Sequence, residues 1–354
     1  MRGEYYLPLH RYNIGGDKMP DLSVDVTNAC NLDCFHCLRD KLGPRKHLSL
    51  DLFKQILDQA RDCGINYISL TGGEPTIHPK WNEFLNVLAE RELKFSIVSN
   101  GYGFGERTLP TLLEPIVRKH LESMCFSLDG ASAKSHDALR GESSFREVIE
   151  AVNLCRLKGI PLSIKTVVTN LNKEELTEIA LLGSNLGVIQ HSFIALTPTP
   201  RAIKEEIVPS IEEMKKAYSF ITGSLVPAIK TQINLEGSWG IDRALFACNA
   251  YQQVYSVDHL GNLLFCCNLS HVYNGDKPSI LGREFLADLK KESLKEGIIR
   301  HYRLLAQFTE DRLNDASADS LLTSFACWWC FKYFNKLEWI ENYANSPWVQ
   351  EVFS

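Results

Sequence analysis

Val26 to Cys37 reads VTNACNLDCFHC, with Cys30, Cys34 and Cys37 at C-x3-C-x2-C spacing on a loop that follows a strand-forming run, Leu22 to Thr27. Three thiolates on so short a loop can hold three corners of a [4Fe–4S] cube, because such clusters take cysteine thiolates as ligands. The loop offers no fourth cysteine, so one iron is left open. An open iron can bind a substrate or cofactor and hand it an electron directly, which makes the loop a candidate for chemistry rather than storage. The alternative is a structural zinc knot, with His36 or a distant residue as fourth ligand. His36 and Cys37 are sequence neighbours that converge poorly on one tetrahedral ion, and zinc motifs usually come as two ligand pairs.

The triplet resembles the defining motif of the radical SAM enzymes, C-x3-C-x-aromatic-C, with His36 in the aromatic position. The resemblance implies that the open iron is chelated by the amino and carboxylate groups of S-adenosylmethionine (SAM). It also implies reductive cleavage of the sulfonium to a 5′-deoxyadenosyl radical, which abstracts hydrogen from a substrate.

Composition sets the outer bounds. The 354 residues suffice for one large α/β domain and a smaller one. A net charge of −5 gives no broad basic field to suggest nucleic acid or an anionic membrane as partner. The N-terminus lacks an apolar core of signal-peptide length, and no run reaches the 18 or so apolar residues of a membrane span. The expected location is cytoplasmic. Eleven cysteines, odd in number and bunched, point to metal ligation rather than disulfides. Cys63, Cys125 and Cys155 stand on apolar stripes and read as core residues.

Behind the cysteine loop, short apolar runs alternate with helical patterns. Strands are expected over Ile65–Leu70, Phe95–Ser99, Ser123–Leu128, Leu162–Val168 and Gln190–Leu196. Helices are expected from Ser49 to Cys63 and over Trp81–Glu92, Glu106–His120, Phe145–Lys158, Glu174–Leu186 and Ile211–Thr222. Six βα units imply a parallel sheet closed part-way, a partial (β/α)6 TIM-like barrel. In such folds functional residues gather at the C-terminal ends of strands. The suggestive residues fall there: the cysteine loop, Gly72-Gly73-Glu74, Ser99-Asn100, Ser127 with Asp129, and Thr169-Asn170.

On the family resemblance, Gly72, Gly73 and Glu74 match the segment that contacts the methionyl amino group. Ser99, Asn100 and Ser127 match positions that bind the ribose or carboxylate of SAM. The stretch SLDGASAKSHDALRG, Ser127–Gly141, is similar to one typical of the SPASM-containing branch, and its Arg140 is a candidate for the SAM carboxylate or a surface salt bridge.

A second cysteine group follows. Thr231–Cys248 reads as a linker whose Glu236, Trp239 and Asp242 are expected to be solvated rather than substrate-facing. VYSVDHLGNLLFCC reads as a β-hairpin with Cys266 on its second strand, and Cys327-Trp-Trp-Cys330 comes far downstream. The spacing of Cys248, Gly261 and Cys266 is similar to that of the SPASM and twitch modules. This chain has five cysteines there, where a full SPASM module has seven, so one auxiliary [4Fe–4S] cluster is expected on Cys248, Cys266, Cys327 and Cys330. Cys267 is expected to be spare, since neighbours on a strand face opposite ways; a four-cysteine zinc site is the alternative. Trp328, Trp329, Phe331, Tyr333, Phe334 and Trp339 are expected to pack around the cluster.

The sequence therefore predicts an extension over 1–20, a radical SAM partial barrel over 21–230 and a twitch or SPASM-like iron–sulfur domain over 231–354. The resemblance implies a SAM-dependent oxidoreductase with an external donor such as flavodoxin or ferredoxin. Its substrate is expected to be a peptide or protein, with a small molecule as the alternative and a non-catalytic iron–sulfur or zinc scaffold as the rival. Many peptide-modifying relatives carry a leader-binding domain at the N-terminus; with about twenty residues before the first strand none is expected here, so a peptide substrate is expected to need a separate recognition protein or none.

Overall fold

A computed structural model describes residues 21–39, 43–237, 239, 248, 254–270, 281–315 and 325–353. Asp242 and the extension over 1–20 lie outside the described residues. Seven strands run in chain order and pair parallel with their neighbours: β1 Asp21–Thr27, β2 Tyr67–Gly72, β3 Lys94–Ser99, β4 Leu121–Ser127, β5 Leu162–Val168, β6 Gln190–Ala195 and β7 Gln232–Glu236. β7 occupies what reads in the sequence as linker, so the parallel run is one strand longer than six. Its alternation of polar and apolar residues, QINLE, is short, and pairing with β6 decides it.

β8 Val254–Val257, β9 Asn262–Leu264 and β10 Phe285–Asp288 continue the same sheet beyond β1, in the order β10-β9-β8-β1-β2-β3-β4-β5-β6-β7. β8 lies parallel to β1, while β9 and β10 are antiparallel additions. The sheet is thus an open partial barrel, with the later cysteine segment attached through its first strand. The expected hairpin forms, but β9 ends at Leu264, so Cys266 lies past the strand rather than on it.

Helices between the strands bury one face each. The helix Leu50–Asp62 starts on the Ser49 hydroxyl, which accepts from the Leu52 amide at 3.2 Å, and buries Phe53, Ile56, Leu57 and Ala60 at helical spacing. Phe53 stacks on Phe84 of the helix Trp81–Glu90 with centroids 4.3 Å apart. The long helix expected over 106–120 is three short ones, Phe104–Arg107, Leu109–Leu112 and Pro115–Arg118. Pro110 and Pro115 each supply no amide for a continuing helix and sit in first turns instead. A helix absent from the sequence reading, Ala133–Arg140, starts on the Ser132 hydroxyl and carries Arg140 at its end.

One core joins the barrel strands to Tyr255, Val257, Leu263, Leu286 and Leu289 of the later segment. Cys125 and Cys155 are buried as expected, whereas Cys63 is half-buried at the end of its helix. A separate aromatic cluster holds Trp328, Trp329, Phe331, Phe334 and Trp339, with Tyr333, Cys248, Cys266 and Cys330 packed against it. No helix among the described residues is long and apolar enough to cross a membrane.

Candidate active site

The C-terminal ends of β1 to β6 open on a cavity of about 340 Å³. Its wall includes Cys30, Cys34, His36 and Cys37, together with Gly72, Gly73, Glu74, Ser99, Asn100, Ser127 and Arg140. Every residue singled out at the strand ends for cluster or SAM binding is therefore at one cavity.

The glycines serve the backbone first. The Gly73 amide donates to the Thr27 carbonyl and the Glu74 amide to the Ala29 carbonyl, both at 2.8 Å, so the end of β2 is laced to the cysteine loop. A Cβ at Gly73 would stand 2.2 Å from the Ala29 oxygen. Only glycine lets the two segments lie so close.

Glu74 stands in the cavity wall and is nearly fully buried, its carboxylate engaged by neighbouring donors. Its carboxylate accepts from the Ser99 hydroxyl at 2.9 Å, the Thr76 hydroxyl at 2.8 Å and the Asn100 amide at 2.7 Å. Burial pushes its carboxyl up, against the lowering effect of these hydrogen bonds. Glu74 thus fixes the turns after β2 and β3. The Asn100 side chain bonds the Asn31 side-chain oxygen at 2.9 Å and reaches the Cys30 sulfur at 4.0 Å, which ties the β3 turn to the cysteine loop.

Arg140 is buried, and the expected surface salt bridge does not form. Its Nε donates to Asp129 Oδ2 at 2.5 Å, and its other nitrogens reach Cys34 Sγ at 3.9 Å and His36 Nε2 at 3.4 Å. The tertiary fold moves it inside because the helix Ala133–Arg140 packs its last turn under the cysteine loop; the Phe35 amide donates to the Leu139 carbonyl at 3.0 Å. Burial alone would raise the Asp129 carboxyl, but Arg140 and His36 hold it below the usual range.

Other cavity residues carry no motif: Arg39, Lys165, Leu196, Thr197 and Asn268. Arg39 Nη1 donates to the Cys267 and Ser270 carbonyls at 3.1 and 2.8 Å, and Nη2 pairs with Asp25 at 2.9 Å. It thereby pins the second cysteine segment to β1 and the cysteine loop. Lys165 Nζ pairs with Glu236 Oε2 at 2.7 Å, so Glu236 faces this cavity wall instead of a solvated loop. Trp239 is buried, its Nε1 donating to the Glu236 carbonyl. A signal for Lys165 was available: a lysine inside the alternating strand LSIKTVV is out of place unless a polar cavity receives it.

The residues fit the groups expected of them. Leu32 N–H approaches Cys30 Sγ at 3.4 Å and the Arg140 guanidinium approaches Cys34 Sγ, donors that suit thiolate ligands. In the second group, burial and the neighbouring thiols Cys248 and Cys330 push the Cys327 thiol well up, and burial and Cys248 bring Cys330 to about 12. Crowded buried thiols of this kind ionise readily only onto a metal centre, which takes up the charge. A hydrogen bond with the Cys266 thiol lowers Cys267, with burial acting against it. The two sulfurs are thus neighbours, not on opposite faces, because the chain has already left the strand at Leu264.

Residues 24–183 match the family model described as the radical SAM superfamily. That stretch carries the cysteine loop, Gly72, Gly73, Glu74, Ser99, Asn100, Ser127 and Arg140, so the partial barrel of this chain is similar to a radical SAM domain. The chain is 28% identical over 267 residues to the mycofactocin maturase MftC of Mycolicibacterium smegmatis, spanning 73% of this chain and 67% of that protein. It is also 28% identical over 193 residues to the AdoMet-dependent heme synthase of Methanosarcina barkeri, 53% of this chain and 54% of the other. Among solved structures, Streptococcus suis SuiB bound to S-adenosylmethionine superposes with a TM-score of 0.62 at 18% identity, covering 80% of this chain and 68% of that one. The anSMEcpe structure with bound AdoMet gives 0.63 at 16% identity, covering 92% and 98%.

Proposed function

We propose that this enzyme abstracts hydrogen from a peptide or protein side chain, as one step in maturing that peptide. The observation that carries the reading is a shared cavity: the SAM-cluster cysteines line it together with Lys165, Leu196, Thr197 and Asn268, side chains with room and polar groups for a second molecule beside SAM. Support comes from the mycofactocin maturase, similar over 73% of the chain, and from the SuiB structure bound to its precursor peptide SuiA, with a TM-score of 0.61.

Cys30, Cys34 and Cys37 would hold the cluster, and Gly72, Gly73, Ser99, Asn100, Ser127 and Arg140 surround the room left for SAM. When bound, the cluster and SAM supply an electron and a hydrogen-abstracting 5′-deoxyadenosyl radical. The chain's own residues hold, orient and exclude. Glu74 fixes the strand-end turns. Arg140, neutralised by Asp129, leaves the thiolate side of the cavity without an unpaired charge. Val98, Val167, Ile194 and Leu196 give the opening an apolar lining that keeps water from a radical. Lys165 and Glu236 place a charged pair on the substrate side, where a peptide offers polar groups to recognise. Cys248, Cys266, Cys327 and Cys330 would hold the auxiliary cluster, and a reduced flavodoxin or ferredoxin would deliver electrons.

The test is anaerobic reconstitution with dithionite and SAM, with short peptides encoded beside the gene as substrates. The expected products are 5′-deoxyadenosine and a peptide changed in mass. Abundant 5′-deoxyadenosine with no peptide altered would move the substrate to a small molecule. No 5′-deoxyadenosine from fully loaded protein would return the chain to a scaffold.

A further inference from the structure

Arg312 is 3% exposed, yet among the described residues its Nε, Nη1 and Nη2 all lack a hydrogen-bond partner. It lies in the last turn of the helix Leu294–Asp315, which packs against the helix Ala326–Tyr333 carrying Cys327 and Cys330. The acids beside it are committed elsewhere: Asp311 accepts from Tyr333 at 2.7 Å and Gln307 at 2.9 Å, and Asp315 accepts from Trp329 Nε1 at 2.5 Å. The guanidinium carbon stands 5.3 Å from the Trp329 ring centroid, a contact that stacks the cation on the ring but satisfies no N–H.

A buried guanidinium with five idle donors is strongly disfavoured unless an anion comes to it. Its charge already reaches Cys327 and Cys330, acting on both thiols in the direction that favours thiolate. A cluster ligated by four thiolates carries net negative charge and presents sulfur acceptors, which matches what Arg312 lacks.

We propose that Arg312 is the charge-compensating residue of the auxiliary cluster, donating to its sulfurs and raising its reduction potential. The inference rests on the reading that Cys248, Cys266, Cys327 and Cys330 hold an iron–sulfur cluster. The sign follows from Coulomb's law: a fixed cation stabilises the state with the extra electron, so its removal makes the potential more negative.

The experiment uses the full chain with Cys30, Cys34 and Cys37 changed to alanine, so that only the second group binds iron. Arg312→Gln and Arg312→Lys are added to that background, reconstituted anaerobically, assayed for iron and sulfide, checked for fold by circular dichroism and titrated by EPR. In Arg312→Gln the reduction equilibrium constant should fall at least tenfold, about 59 mV for one electron. Arg312→Lys, which keeps the charge, should stay near the parent. Loss of iron in Arg312→Gln with retention in Arg312→Lys also supports the role. An unshifted potential in a fully loaded Arg312→Gln overturns it, as does an equal effect of both substitutions. A parent that binds zinc instead of iron removes the cluster reading itself, an outcome visible before either Arg312 variant is made.

Discussion

Arg140 shows how one side chain decides the character of the cavity wall beside the first cysteine loop. Its partner Asp129 is fully buried, and the same carboxylate also accepts from the Val167 amide at 2.8 Å, joining β4 to β5. Removing the guanidinium by Arg140→Ala would leave the buried Asp129 carboxylate with only His36, 3.4 Å away, and the Val167 amide to compensate it, at a cost of about 3–5 kcal/mol. Urea unfolding of the iron-free protein measures this directly, and a loss below about 1 kcal/mol would contradict the buried-pair account. The sequence shows that an arginine ends SLDGASAKSHDALRG. It does not show that Asp129, eleven residues earlier, turns back onto it, since that pairing depends on how the helix Ala133–Arg140 folds under the cysteine loop.

At the scale of elements, two histidines are locked neutral between strands and helices. His136 Nδ1 accepts from the Asp129 amide at 3.1 Å, and His191 Nε2 meets the Thr166 hydroxyl at 2.9 Å. Burial depresses His136 to about 4, with Arg140 adding to it, and burial takes His191 to about 3. In the unfolded chain both titrate near 6.5, so there the unfolded state binds more protons. Their contribution to stability is complete above about pH 6.5 and is lost as the pH falls toward those lower values, by up to about 1.4 kcal/mol per unit for each histidine. Denaturant midpoints taken from pH 7 to 4 should fall in that window, and His191→Gln should flatten the slope; an unchanged slope would show that His191 does not carry it. Most elements were legible from apolar spacing alone, as with Phe53, Ile56, Leu57 and Ala60 on one helix face. The broken stretch 104–118 was also written in the sequence, at Pro110 and Pro115. β7 was not, because five half-buried residues carry too little periodicity to outweigh a loop reading.

For the whole molecule, the open sheet does what neither cysteine group does by itself. β8 pairs with β1, and Arg39 bonds Asp25, Cys267 and Ser270, so the later segment is built onto the strand that leads into the first cysteine loop. Two clusters held this way should load independently: about eight iron and eight sulfide per chain, falling to about four of each in the Cys30/Cys34/Cys37 triple alanine. Full iron retention in that variant would refute the assignment of the first cluster. The sequence by itself determined the ligand spacings, the βα alternation and hence the strand ends where chemistry gathers, because local periodicity and short-range thiol spacing are properties of neighbouring residues. Only the tertiary structure decided that Glu74 braces turns, that Arg39 and Lys165 reach the cavity and that Arg312 is buried beside Cys327 and Cys330. Those facts depend on contacts between residues far apart in the chain, which no local pattern records.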